Sequence, residues 1–126
     1  MCIRDRNNGE HAEAPSDQFG RLTFTDDMAG AIFHLLDSGA AFGTYNMTGS
    51  GRVVSWYDIA SIVFKAVGAD ENNLVANSVA EYAREHHAAL RPRNCSLDLS
   101  KLEAAGYHPR NWEESLASYL TKELNK

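Results

Sequence analysis

Ser55-Trp56-Tyr57-Asp58-Ile59-Ala60-Ser61-Ile62-Val63-Phe64-Lys65-Ala66-Val67-Gly68 is the stretch on which the fold class of this chain turns. Ser55 offers an N-cap oxygen, and Asp58 three residues later offers the carboxylate that completes a near capping box. Trp56, Ile59, Ala60, Val63 and Val67 recur at i, i+3, i+4, i+7 and i+11, which is one face of a helix. Gly68 supplies the left-handed stop. The stretch predicts a helix buried along one side, so its neighbours must supply the cover.

Upstream, Gly43-Thr44-Tyr45-Asn46-Met47 reads as a brief strand followed by the loop Thr48-Gly49-Ser50-Gly51. Further back, Arg21-Leu22-Thr23-Phe24 is β-prone, and Thr25 caps a helix with Asp26 and Asp27 in its positive first turn. Met28, Ile32, Leu35 and Leu36 form that helix's apolar face, and Gly39 ends it. Downstream, Asn73-Leu74-Val75-Ala76 reads as a short strand, residues 81–90 as a helical turn or irregular loop, and residues 94–99 as extended chain. Ser100-Lys101-Leu102-Glu103 matches a capping box, and Gly106 closes that short helix. Trp112, Leu116, Tyr119, Leu120 and Leu124 make the apolar stripe of a final helix, with Glu113 and Glu114 at its start. Residues 1–15 carry no periodicity and are expected to form a disordered or artefactual N-terminal tail.

The expected class is α/β, mostly helices with short strands. The strands are too few and too short to build an independent doubly wound sheet, and they are expected to extend or flank a sheet supplied elsewhere. An exposed apolar patch is expected where that sheet would pack.

With 126 residues the chain has room for one domain, and 44% hydrophobic with 23% charged residues is a globular composition. A net charge of −5 without a Lys/Arg stripe argues against nucleic acid as a partner. Cys2 and Cys95 stand alone, so neither a disulfide framework nor a Cys-based metal site is expected, and a cytoplasmic location follows. No apolar run is long enough to span a membrane.

Catalytic machinery is not legible. No Gly-rich turn joins a strand to a helix, so no dinucleotide phosphate cradle is present. Tyr45, Tyr57, Tyr82, Tyr107 and Tyr119 all lack a Lys four residues later. The adjacent pair His86-His87 diverges on any regular element and is read as a surface feature; His34 and His108 receive no role. Two polar clusters remain. In Asp17-Gln18-Phe19-Gly20-Arg21-Leu22-Thr23, hydrogen-bonding groups flank a glycine that permits close approach. In Arg91-Pro92-Arg93-Asn94-Cys95-Ser96-Leu97-Asp98, two guanidinium groups on a stiffened segment suit a phosphate or pyrophosphate. By composition alone the first cluster reads rather as a turn leading into a strand, and the second rather as a surface salt-bridge segment.

Taken in order, five segments resemble the C-terminal part of the dTDP-4-dehydrorhamnose reductase family, within the extended short-chain dehydrogenase/reductases. They are Asp17, Gln18, Gly20 and Thr23; Gly43, Tyr45, Thr48 and Gly49; and Ser55, Trp56, Tyr57 and Ala60. Then come Arg91, Pro92, Asn94, Leu97, Asp98, Lys101 and Leu102, and finally Pro109, Trp112, Leu116, Tyr119 and Leu120. Cys95 stands where the family pattern has Ser. The resemblance implies a Rossmann-type parent whose nucleotide-binding half holds NAD(P)H and the Tyr/Lys pair. Residues 16–126 are then the sugar-nucleotide binding domain of a larger reductase, inactive alone. It implies a dTDP-sugar substrate, with Gln18, Arg21, Arg91 and Asn94 as the polar contacts and no catalytic residue in this chain. Magnesium accompanies some members, and the full-length protein could form a homodimer. The alternative is a fragment of a non-catalytic binding subunit of the same fold, like the regulatory subunit of methionine adenosyltransferase.

Overall fold

A computed structural model describes residues 11–85, 87 and 89–125. The elements run β1 (Ala12–Pro15), β2 (Phe19–Gly20), α1 (Thr25–Asp37), β3 (Val54–Ser55), α2 (Trp56–Ala66), a 3-10 turn (Glu71–Asn73), β4 (Leu74–Asn77), α3 (Val79–Glu85), α4 (Ser100–Ala104) and α5 (Trp112–Leu124). β1 pairs with β4 in parallel, Ala12 opposite Leu74, and β2 pairs with β3 antiparallel, Phe19 opposite Ser55.

Helix α2 organises the packing, because it buries two sides. Ala60 and Phe64 lie over Ala12, Ala14 and Leu74, which makes one core cluster on the β1–β4 pair. Ile59 joins Val54, Trp112, Leu116 and Leu120 in a second cluster, with Trp56, Val63 and Val67 packed at its margin. The expected apolar face is therefore present, but Phe64, outside that stripe, is among its most buried members. The capping box is complete: Ser55 Oγ accepts from the Asp58 N–H at 3.0 Å and Asp58 Oδ2 accepts from the Ser55 N–H at 3.0 Å. The Ser55 hydroxyl and then its N–H hold the Asp58 carboxyl below the usual range.

Several local expectations are corrected. The chain is already in a strand at Ala12–Pro15, inside the stretch expected to be a tail. Ala12 and Ala14 alternate with exposed His11 and Glu13, and two methyl groups are too small a signal to stand out. Residues 1–10 lie outside the described residues, as does His86 of the histidine pair. Residues 21–24 and 43–47 form no ladder; they are held instead by single bonds, such as Gly49 N–H to the Leu22 carbonyl at 2.9 Å. Residues 94–99, expected as extended chain, lie in no helix or ladder and make one isolated bridge, Phe19 with Asn94. Thr25 is the first helical residue of α1, not its cap, and Phe24 at the cap position makes no side-chain bond. Ser100 likewise opens α4, and Asp98 does the capping: its Oδ1 accepts the Ser100 N–H at 2.9 Å.

The largest correction concerns α1. Met28, Ile32 and Leu36, expected to be its buried face, point outward together with Phe33; Phe33 is 66% and Leu36 72% exposed. The side turned to the rest of the chain carries Asp27 and Ala31. Asp27 is the reason: its Oδ1 accepts from Arg110 Nε at 2.5 Å and its Oδ2 from the Ser115 hydroxyl at 3.1 Å, so the helix is clamped by a polar residue. Tyr107 donates its hydroxyl to the Asp27 carbonyl at 2.9 Å, and burial followed by the Asp27 charge pushes that phenol's pKa up. His34, expected on the polar side, is half-buried beside the Tyr107 ring with Nε2 2.9 Å from the Ala105 carbonyl. The outward stripe is an exposed apolar patch.

Close approach is needed at Gly49 rather than at Gly20. A Cβ on Gly20 would meet Cys95 Cβ at an ordinary 3.6 Å, whereas one on Gly49 would lie 2.7 Å from Trp112 Cβ and 2.8 Å from the Leu22 carbonyl oxygen. Neither neighbour can swing aside, since one is at the stem of a buried side chain and the other is backbone. Gly49→Ala should therefore destabilise the fold by roughly 1–3 kcal/mol, while Gly20→Ala stays near neutral. Urea unfolding of the two variants checks this, and a neutral Gly49→Ala would show that the 48–50 loop relaxes.

Candidate functional site

The polar clusters of residues 17–23 and 91–98 are joined by a short strut, residues 16–20. Ser16, Asp17, Gln18 and Phe19 of the strut each reach a different element. Ser16 N–H continues the β1–β4 ladder onto the Asn77 carbonyl at 2.9 Å. Asp17 Oδ1 accepts the N–H of Val79, the first residue of α3, at 2.7 Å, and Oδ2 faces Arg93 at 3.7 Å. The Gln18 carbonyl accepts the N–H of Trp56 at the start of α2. Phe19 pairs on both sides, with Ser55 of β3 and with the far segment, where its N–H reaches the Arg93 carbonyl at 2.6 Å and its carbonyl accepts the Cys95 N–H at 2.8 Å. Backbone bonds between the strut and residues 93–95 therefore bring the two clusters together.

The four predicted contact residues fall into two groups. Gln18, Arg21 and Asn94 each take part in contacts between residues 18–21 and 94–97, while Arg91 precedes them in the far segment. Gln18 Nε2 lies 3.6 Å from Cys95 Sγ, a weak bond that orients the amide. The thiol itself lies 3.3 Å from the Pro92 carbonyl, so it occupies a place in the polar chain where the family pattern has a hydroxyl. Asn94 commits Oδ1 to Ser96, 2.9 Å from its N–H and 2.6 Å from its Oγ, in a local turn that leaves the amide nitrogen available to donate. Arg21 is more engaged than expected. One terminal nitrogen donates to the Leu97 carbonyl at 2.5 Å, and its Nε is enclosed without a partner among the described residues. It straps the 91–98 segment as much as it could bind anything. Arg91 is exposed, and no hydrogen bond or ion pair engages its guanidinium among the described residues.

Spacing in the sequence did not reveal Asp17 and Arg93 as a linked pair. The only signal was that both sat inside the polar clusters, separated by 76 positions (93 − 17) that only the fold closes.

A separate shallow concavity of about 360 Å³ lies between residues 38–45 and α4, lined by Ser38, Ala40, Ala41, Tyr45, Lys101, Ala104 and Ala105. Lys101 stands 4.5 Å over the Tyr45 ring and donates to the Thr44 carbonyl at 2.8 Å, so its charge is already engaged. None of the four predicted residues lines this concavity. No group of three or more His, Cys, Asp or Glu among the described residues is placed to hold a metal ion, so the magnesium expectation gains no support. No helix among the described residues is long and apolar enough to cross a membrane.

Comparison with known proteins agrees with the five-segment resemblance. The family model described as "RmlD substrate binding domain" matches residues 1–125. The chain is 33% identical over 105 residues to the spore coat polysaccharide biosynthesis protein SpsK of Bacillus subtilis, covering 83% of this chain and 35% of that protein. It is 32% identical over 125 residues to the dTDP-4-dehydrorhamnose reductase of Aggregatibacter actinomycetemcomitans, covering 90% of this chain and 41% of that one. The solved dTDP-4-dehydrorhamnose reductase of Clostridium acetobutylicum superposes with a TM-score of 0.83 at 27% identity, over 98% of this chain and 42% of that structure. The Bacillus anthracis reductase, solved in complex with NADP, gives 0.81 at 24% identity over 96% and 41%. The chain thus spans less than half the length of these relatives, and its fold is the substrate-binding portion of a Rossmann-type extended short-chain dehydrogenase/reductase. By the extent of the family match, this chain belongs to the RmlD substrate binding domain family.

Proposed function

We propose that this chain forms the sugar-nucleotide side of an NAD(P)H-dependent reductase of the cytoplasm, acting on the C4 carbonyl of dTDP-4-dehydro-L-rhamnose. The observation that carries the reading is the junction of residues 16–20 with 91–95. In a chain of net charge −5, an exposed guanidinium with no ion-pair partner among the described residues, Arg91, lies in sequence just before this junction, where the Gln18 and Asn94 amides are. A fixed cation followed by amide donors matches a pyrophosphate followed by a sugar or base with carbonyl and hydroxyl groups.

The residues present do not fit the dinucleotide itself. This sequence contains no Gly-rich strand-to-helix turn, so NAD(P)H would be held outside these 126 residues, and no part of hydride transfer is assigned to them. Their work is binding and orientation. The outward stripe of Met28, Ile32, Phe33 and Leu36 is the surface against which a nucleotide-binding half would pack.

The test is a steady-state assay of one polypeptide that joins this chain to its nucleotide-binding half, followed by loss of NADPH absorbance. Turnover of dTDP-4-dehydro-L-rhamnose is expected. Arg91→Ala should raise KM for the sugar nucleotide by roughly ten-fold with kcat little changed, the signature of a charge-assisted bond made equally in ground and transition states. Arg21→Ala is a poorer probe, because it also releases the Leu97 carbonyl. An unchanged KM in Arg91→Ala would remove the proposed anion contact, and NADPH binding without turnover would favour a non-catalytic role.

A further inference from the structure

We propose that Asp17 is a positioning residue that sets the placement of the Arg91–Asn94 limb, and through it the fit of the sugar nucleotide. The proposal rests on the substrate-side reading above for its second half only.

The limb is reached from α3 through residues 86–90, and among the described residues of that connection no hydrogen bond or ion pair ties it to the body of the protein. Among the described residues, Phe19 and Asp17 are what attach it. At the far end, Phe19 holds Arg93 and Cys95 by two backbone bonds. At the near end, the Asp17 side chain touches both α3 and the limb. Its Oδ1 bonds the Val79 N–H, and its Oδ2 faces the Arg93 guanidinium. The Val79 N–H belongs to the first turn of α3 and has no partner within the helix.

The two contacts differ in weight. The Val79 bond, at 2.7 Å and part-buried, is a charge-assisted bond to a carboxylate. The Arg93 pair is long, and the Arg93 side chain is 79% exposed, so as an ion pair it adds little stability. Its effect is directional. It turns the Arg93 side chain back towards the strut, and among the described residues no carboxylate pairs with Arg91, two residues earlier. Asp17 neighbours Gln18 and Phe19, so one short stretch fixes α3, the limb's backbone and the Gln18 amide together.

The test combines amide hydrogen exchange on this chain with kinetics on the full-length polypeptide. In Asp17→Ala, protection of the Cys95 and Val79 amides should fall by about ten-fold. The Trp112 amide, which bonds the Ser50 carbonyl at 3.0 Å, should keep its protection, and that reports the intact second core. Asp17→Asn retains one carboxamide oxygen for Val79 and loses the charge facing Arg93, so it should restore Val79 protection and leave Cys95 intermediate. In the reductase assay, Asp17→Ala should raise KM for the sugar nucleotide about five-fold with kcat and KM for NADPH held, which a general loss of folding would not produce. Unchanged Cys95 exchange in Asp17→Ala overturns the proposal. So does loosened exchange with an unmoved KM, provided that Arg91→Ala does move it. If Arg91→Ala leaves KM unmoved, the substrate-side reading fails on its own, and the exchange data still decide whether Asp17 places the limb.

Discussion

Replacing Trp112 with alanine is expected to remove roughly 3–5 kcal/mol of folding free energy, the largest single loss in this chain. Trp112 is 0% exposed and lies at the centre of the second core cluster, against Val54, Ile59, Leu116 and Leu120. Its indole N–H donates to the Arg52 carbonyl at 2.8 Å, so the buried polar end is satisfied. Its backbone N–H bonds the Ser50 carbonyl, and Gly49 packs on its Cβ. One residue thus joins α5, the 48–52 loop and α2. Truncation would leave a cavity that the backbone around Gly49 and Ser50 cannot fill, and would strand the Arg52 carbonyl. Trp112→Phe should cost less, because it retains most of the buried area and loses only the indole bond. Urea unfolding followed by Trp56 fluorescence distinguishes them. A loss below about 1 kcal/mol in Trp112→Ala would mean that the second cluster is not a packed core.

Asp27→Ala should cost roughly 2–4 kcal/mol, because it removes a buried carboxylate with two side-chain donors. Asp27 is 3% exposed, and Arg110 and Ser115 converge on it from the loop before α5 and from α5 itself. Ser115 is also buried, so its hydroxyl would lose its acceptor without gaining water. Arg110 is exposed enough to be hydrated, and its contribution is mainly that of partner: the Asp27 hydrogen bond, then its charge, raises the guanidinium's pKa. Arg110→Met should therefore destabilise in the same direction, since it leaves the buried carboxylate with one hydroxyl. Asp27→Asn, which keeps the shape and loses the charge, should fall between wild type and Asp27→Ala. Thermal unfolding of the three variants gives the order. If Asp27→Ala were as stable as wild type, the clamp would not be what turns the apolar stripe of α1 outward.

The second prediction shows where pattern reading stops. Met28, Ile32, Leu35 and Leu36 have the period of a core face, and the period correctly places a helix. Periodicity says that one side is apolar; it does not say which neighbour that side meets. In this chain the inward side is chosen by Asp27, a residue that the pattern assigns to the helix's charged start. Its partners are 83 and 88 positions away, beyond the reach of any local rule.

The sequence alone determined the elements whose cause is local. Ser55 and Asp58 are three apart, so the cap and the helix after it follow from adjacent chemistry, as does the stripe that puts Trp112, Leu116 and Leu120 inside. The order of five short motifs was likewise enough to point to the family. Only the tertiary structure decided that Ala12 and Ala14 belong to a strand, that Asp98 rather than Ser100 caps α4, and that Arg21 is a strap. It also decided that Asp17 meets Arg93 and that Gln18 meets Cys95. The physical reason is the same throughout. Caps and helix faces are set by groups within a turn of each other, whereas the site is made by backbone bonds between Phe19 and residues 93–95, which exist only once the chain has closed on itself.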